Sequence, residues 1–307
     1  WFKVKPGIRA SDFYQDSETV NEVAIDWLER NAQDRFFLFL HYMDPHDPYF
    51  RHPYDGHGIA RVSNQHPSPE IAEEMRELYK GEIEFLDENF GRFLDKLRAL
   101  GLYDNTVIAL TADHGEEFYD HGGFWHGLTL YDEQIRVPLL VKWANGVEPP
   151  SAGATDGLAR LLDVVPTLIQ VSGGDVPEAM QGVDLRSDVD SRSVRDRQHF
   201  AEEDHEGNVL WSLRTDQMKL IAANPGNPRG LPEQELFEVA IDPGEGQPLS
   251  LDQNASTVQT LADHADLQRR AAEGEAVEDA GEVEMTFEEC EQLRMLGYVD
   301  DCSHLGQ

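Results

Sequence analysis

The sequence predicts an α/β domain, a largely parallel sheet sandwiched by helices, followed by a smaller α+β region. Three observations predict it. Three short runs, 36–42 (FFLFLHY), 106–111 (TVIALT) and 137–143 (VPLLVKW), are almost wholly apolar and read as strands covered on both faces. Helical patterns alternate with them, as a largely parallel sheet requires. After Pro149-Pro150 the texture changes to short strands punctuated by turns.

The elements follow in order. Ser17 can cap a helix in which Val20, Val23, Ala24, Trp27 and Leu28 fall at helical spacing, and the strand 36–42 comes next. Ser68-Pro69 starts a second helix with proline at its first position. Its stripe of Ile71, Met75, Leu78, Leu86, Phe90, Phe93, Leu94 and Leu97 ends at Gly101, ahead of the strands 106–111 and 137–143. Beyond 150, residues 158–171 read as a helix interrupted at Pro166. Residues 210–214 and 218–222 read as strands around the 215–217 turn, and 236–239 as a third that ends at Asp242-Pro243-Gly244. The acidic stretch 273–284 has the composition of a linker, and a capping box at Thr286 and Glu289 opens a last short helix. The expected organisation is therefore 1–150 for the main α/β domain, 151–272 for the smaller region, 273–284 for the linker and 285–307 for the closing helix and tail.

Charge narrows the function. Twenty-five basic residues against 59 acidic ones give a formal charge of −34. Such a field repels nucleic acid and anionic membranes, so neither is an expected partner. No apolar run reaches the roughly 18 residues of a membrane-spanning helix. The acids are spread along the chain, which suits a solvated surface and points to a protein adapted to concentrated salt. The two cysteines, Cys290 and Cys302, have no metal-site spacing and read as buried thiols.

Three constellations could carry chemistry. In TADHGEE, 111–117, Asp113 offers a hard carboxylate oxygen and His114 an imidazole nitrogen directly after a strand, where α/β sheets place their sites. Alone the dipeptide also fits a turn whose Asp caps a helix; a strand before it and a histidine cluster after it favour a metal pair. In MDPHDPY, 43–49, two Asp-Pro steps fix a loop with His46 at its tip, able to donate to an anionic oxygen or to protonate a leaving group. The plainer alternative is a proline-rich surface turn. In HGGFWHG, 121–127, glycines on both sides suggest a loop folding over a pocket to present His126; the alternative is an ordinary surface loop. Glu116, Glu117 and Asp120 read first as surface.

Taken together these motifs resemble the downstream half of a sulfatase, of the alkaline phosphatase superfamily. The resemblance rests on HYMDPHDPY, GRFLDKLRALGLYDNTVIALTADHGE and HGLTLYDEQIRVPLLV in that order, then LLDVVPTLIQVSG, MQGVDL, SLRTDQMKLI, ELFEVAIDPGE and EQLRMLGYVD. It implies an alkaline-phosphatase-like sheet and hydrolysis of small anionic sulfate esters. It implies one divalent metal, calcium in most sulfatases, with manganese, magnesium or zinc as alternatives. Asp113 and His114 match metal ligands, and His46 matches the histidine that contacts the sulfate or the leaving oxygen. His126 lies where many sulfatases have a lysine on the sulfate and some relatives a histidine. The family's Cys/Ser-x-Pro-x-Arg motif, whose first residue becomes formylglycine, and the acidic pair that completes the metal site are not recognisable here. In the family both lie upstream, so they are expected in a segment preceding Trp1, and the chain alone is expected to be inactive. The alternatives are a phosphodiesterase, phosphonate hydrolase or phosphoglycerol transferase of the same superfamily, or a non-catalytic relative that only binds.

Overall fold

The computed structural model describes residues 15–148, 159–188 and 198–274, together with 286, 287 and 290. These fall into two compact units, the first reaching Thr106 and including 286, 287 and 290, the second starting at Val107. The linker 273–284 and the closing helix lie almost wholly outside the described residues.

In the first unit, helix α1 spans Ser17–Asn31. Its cap is Asp16, whose carboxylate accepts from the Thr19 amide at 2.9 Å. Ser17, the expected cap, is buried instead and donates through its amide and hydroxyl to Asp44 Oδ1, at 3.0 and 3.1 Å. The buried stripe is Ser17, Asn21, Ala24 and Leu28, while Val23 and Trp27 stay exposed. Long-range hydrogen bonds turn the helix to this face. Asn21 donates to the Asn89 carbonyl at 2.8 Å and accepts from the Tyr42 hydroxyl at 2.7 Å.

Residues 36–42 form no ladder, although their exposure alternates residue by residue as in a strand, with Phe37 78% and Phe39 76% exposed. Strands β1 (Tyr49–Phe50) and β2 (Gly58–Ile59) make a short antiparallel pair. A 3₁₀ turn over Pro69–Ile71 leads into helix α2, Ala72–Ala99, which buries Met75, Leu78, Phe93 and Leu97 as its spacing predicts. The helix closes at Gly101 with bonds from Gly101 N to Arg98 O and from Leu102 N to Leu97 O, a Schellman ending. Cys290 is buried and disulfide-bonded, which corrects the expected thiol; Cys302 lies outside the described residues. Pairing depends on which Cβ atoms the fold brings to bonding distance, and spacing alone does not reveal that.

In the second unit β3 (Ile108–Thr111) pairs with β6 (Leu139–Lys142), and between them lie β4 (Glu117–Phe118), β5 (Phe124–Trp125) and the short helix α3 (Asp132–Ile135). The β3–β6 ladder is antiparallel, as is every strand pair among the described residues. The apolar runs locate these strands, but none of their residues is fully buried and Leu140 is 57% exposed, so they are not covered on both faces as expected; nor do such runs signal direction, which the pairing partner sets. Helix α4 is Val164–Val171, and Pro166 sits inside its first turn, where no donor is needed, so it does not interrupt the helix. A second short helix, α5, follows at Leu185–Asp188.

The smaller region is a four-stranded antiparallel sheet in the order β10-β9-β8-β7, from β7 (His199–His205), β8 (Asn208–Arg214), β9 (Lys219–Ala223) and β10 (Gln234–Phe237). Its alternation assigns two faces. Leu210, Ile221 and Phe237 pack with Leu130 and Tyr131 on one, and Leu213, Leu220 and Leu236 pack with Leu261 and Ala265 of helix α6 (Ala255–Gly274) on the other. Each such fully buried side chain contributes roughly 1.5–3 kcal/mol. The first face therefore holds the segment that directly follows the glycine-rich histidine loop. Strand β7 and helix α6 went unread in the sequence. Acidic residues mask the β7 alternation, whereas Val258, Leu261, Ala262 and Ala265 do show helical spacing.

Candidate active site

The end of β3 sets the first two donors. Beyond Thr111 the chain turns so that Gly115 N and Glu116 N donate to the carbonyls of Gln134 and Glu133, at 2.7 and 2.8 Å. A Cβ on Gly115 would stand 2.1 Å from the Glu133 carbonyl oxygen, so this approach requires glycine. Asp113 accepts from the His114 amide at 3.0 Å, and its side chain is 71% exposed. His114 Nδ1 lies 2.8 Å from the Gly115 carbonyl. A carbonyl only accepts, so Nδ1 carries the proton and Nε2 keeps the lone pair. That Nε2 stands 3.9 Å from Asp113 Oδ2. Ligand bonds of about 2.0–2.6 Å place neighbouring ligands on one ion roughly 3–4 Å apart, so this oxygen and nitrogen fit a shared divalent cation.

The β4–β5 hairpin sets the third. Glu117 faces Trp125 and Phe118 faces Phe124, which leaves Glu116 and His126 together at the open end. His126 Nδ1 lies 3.2 and 3.3 Å from the two Glu116 oxygens, and the His126 ring stacks on His114 at 4.0 Å. The fold thus brings together Asp113, His114 and His126. Trp125 holds a left-handed φ of 75° while almost fully buried. For a bulky residue that is backbone strain of about 1–3 kcal/mol, placed immediately before His126.

The acidic residues around the hairpin do not all face solvent. Asp120 is exposed, but Glu116 is buried against His126, and Glu117 is fully buried and accepts from four groups. Its Oε1 takes Gly123 N at 2.8 Å, His121 N at 3.2 Å and Arg229 Nη2 at 2.9 Å, and its Oε2 takes Gln134 Nε2 at 3.1 Å. Burial raises the Glu117 pKa, and Arg229 and these amides oppose the rise. Sequence reasoning missed Arg229, which comes from the turn between β9 and β10 and shows no local motif.

His121, next to the hairpin turn, belongs to a second network. Its Nδ1 lies 2.6 Å from Glu133 Oε1, its Nε2 lies 3.1 Å from the Glu245 carbonyl, and its ring stacks on Tyr131 at 3.7 Å. Burial alone would lower its pKa, but Glu133, with Glu245, carries it up to about 9. A pKa raised on folding gives stability that is complete below the ordinary histidine value near 6.5 and is lost as pH rises through about 9. Thermal stability of the second unit is therefore expected to fall between pH 6.5 and 9. The same melting series on His121→Gln should be flatter over that window; an equal slope would remove His121 as the cause.

His46 belongs to the first unit. It is buried rather than presented at an exposed tip. Side-chain anchors fix its loop: Asp44 is held by Ser17, and Asp47 Oδ2 accepts from the Arg61 amide at 2.8 Å. Burial raises the Asp44 pKa despite the Ser17 hydrogen bonds. His46 Nδ1 lies 2.8 Å from the Asp47 carbonyl, so neutral His46 presents its lone pair on Nε2 and donates from that atom only when protonated. Farther along, buried Glu82 of α2 accepts from the Phe50 amide and pairs with His52, both at 2.5 Å.

Comparison with known proteins matches these features to a family. The model for sulfatases matches residues 5–174, and that for the C-terminal part of N-sulphoglucosamine sulphohydrolase matches 120–272. An N-acetylglucosamine-6-O-sulfatase of Bacteroides thetaiotaomicron is 28% identical over 177 residues, covering 54% of this chain and 30% of that protein. A solved structure in complex with its substrate D-glucosamine-2-N,6-O-disulfate superposes with a TM-score of 0.58 at 21% identity, covering 72% of this chain and 46% of the other. A phosphonate monoester hydrolase from Silicibacter pomeroyi gives a TM-score of 0.59 at 21% identity, covering 90% and 64%. The fold is thus the alkaline-phosphatase-like α/β fold. The chain spans about half the length or less of the curated relatives it matches, from 30% to 51%. The sulfatase model covers more than half of the 307 residues, and the chain belongs to the sulfatase family.

Proposed function

We propose that this chain carries the metal-binding and acid–base side of a metal-dependent sulfatase that hydrolyses sulfate esters and is adapted to concentrated salt. The observation that carries the reading is the Asp113–His114 pair at the end of β3, an oxygen and a nitrogen donor 3.9 Å apart, with His126 stacked on the second of them. Asp113 and His114 would hold the cation, calcium by resemblance. A divalent ion supplies fixed positive charge for the sulfate's nonbridging oxygens when bound. His126, oriented by Glu116, donates to the anionic ester through Nε2 when protonated. His46 protonated at Nε2 hands its proton to the leaving oxygen, where negative charge develops. The nucleophile, formylglycine by resemblance, lies outside these residues. The position of His126 where many sulfatases have lysine removes a permanent cation, and this is the observation that favours phosphate or phosphonate esters as a second reading.

The test is turnover of an aryl sulfate against an aryl phosphodiester by the protein expressed from its whole gene, with and without chelator. Sulfate-ester hydrolysis that chelation abolishes and calcium restores supports the reading; a preference for the phosphodiester transfers it to the second. His126→Ala is expected to lower kcat by about 10²–10⁴-fold and to flatten the alkaline limb of the pH profile, where a group needed in its protonated form is lost. Wild-type rate and profile in that variant would withdraw the role given to His126.

A further inference from the structure

We propose that Arg229 is a positioning residue for His126, so that the antiparallel C-terminal sheet sets the geometry of the catalytic hairpin. The inference rests on the sulfatase reading of His126. Arg229 sits in the turn between β9 and β10, and that turn is itself fixed. The Arg229 amide donates to Asn208 Oδ1 at 3.0 Å, and Asn227 exchanges hydrogen bonds with Leu231 in both directions, each at 2.9 Å.

From this base a single nitrogen, Arg229 Nη2, reaches two groups of the hairpin, Glu117 Oε1 and the His121 carbonyl, both at 2.9 Å. Glu117 Oε1 in turn receives the amides of His121 and Gly123. Guanidinium and carboxylate together therefore close the 119–123 turn from inside. An independent observation agrees. A Cβ on Gly123 would stand 2.4 Å from Arg229 Nη2 and 2.6 Å from its Cζ, so the turn is built around the guanidinium.

The consequence reaches His126 because the hairpin is short. Only two residue pairs join β4 to β5, too few to hold a register unaided. Glu116 and His126 flank the open end of that ladder. If the turn slips, the Glu116 contact that orients the His126 ring is lost with it. Truncating Arg229 would leave the Glu117 carboxylate buried without its cation, and a buried charge in that state takes up a proton or moves toward water. Lysine would restore charge as a point donor but not the planar group around which Gly123 turns.

The experiment uses the protein expressed from its whole gene. Arg229→Gln is expected to lower kcat by about 10- to 100-fold, the range seen when a residue that orients a functional group is removed, with KM changed far less. Glu117→Gln should do the same, and the double variant should lose no more than either alone. Added guanidinium should restore part of the kcat of Arg229→Ala, and Arg229→Lys should lie between wild type and Arg229→Gln. A second readout needs no turnover: the ring resonances of His126 in an NMR spectrum of histidine-labelled protein should move in Arg229→Gln. If wild type hydrolyses no sulfate ester, the functional reading fails while this resonance still decides the positioning. An unmoved His126 signal overturns the proposal. So does equal loss of melting temperature and kcat without guanidinium rescue, which marks a merely structural residue.

Discussion

Replacing Asp113 by alanine is expected to abolish metal binding and, in the protein expressed from its whole gene, nearly all turnover. On the proposed reading Asp113 is the charged donor of its pair with His114, and among the described residues its carboxylate accepts from the His114 amide. Removing it leaves a neutral imidazole, whose Nε2 lone pair cannot by itself hold a hard divalent ion against water. A cation on the ester oxygens is worth several kcal/mol at the transition state, so a loss of about 10³-fold or more in kcat/KM follows. Calcium titration by calorimetry reads the binding directly and does not depend on chemistry. An Asp113→Ala protein that binds calcium as wild type does would refute the ligand assignment. Because Asp113 is exposed, the substitution should leave the melting temperature of the metal-free protein close to unchanged, which separates loss of a ligand from loss of fold.

The second large effect is on stability. Lys219 of β9 is fully buried, its ammonium 2.8 Å from Asp132 Oδ1 and 2.7 Å from Glu245 Oε1. Asp132 also pairs with Arg214, and Glu245 Oε2 accepts the Asp132 amide at 2.6 Å. Burial would raise the Asp132 pKa, but Lys219 and Arg214 outweigh it and hold the carboxyl below its usual range. Glu245 is displaced the other way, since burial outweighs Lys219 there. Lys219→Met preserves the volume and removes the charge, taking from Glu245 and Asp132 the ammonium that bridges them. Breaking a buried ionic group from one side costs about 3–5 kcal/mol. Urea unfolding followed by tryptophan fluorescence should show that loss. Adding Glu245→Gln to Lys219→Met should recover part of it, since the orphaned charge goes as well. A single variant with the wild-type midpoint would mean that this network contributes no net stability.

Much of the fold was legible because its signals are local. The long helix α2 announced itself by eight apolar residues at helical spacing, and its Schellman ending by a glycine. Strands β3 and β6 followed from apolar runs, and β8 to β10 from alternation around short turns. The motifs of the proposed site carry equally local signals. Asp113 and His114 are neighbours at a strand end, and His126 stands in its own glycine-flanked motif. The α1 face was misjudged because Asn21 and Ser17 are buried by partners 68 and 27 residues away. Hydrophobicity cannot assign a polar residue to the core when the group that satisfies it is remote.

The sequence by itself determined the family, the long helix α2, the strand β3 that precedes Asp113 and His114, and which residue types stand in each motif. Only the tertiary structure decided which acids leave the surface. A formal charge of −34 spread along the chain suits a solvated surface, yet Glu116, Glu117, Asp132 and Glu245 are buried. Charges enter the interior only with partners. Those of Glu117 and Asp132 come from residues 112 and 87 positions away, Arg229 and Lys219. Pairing over that distance is a property of how the chain folds back on itself, and no local pattern records it.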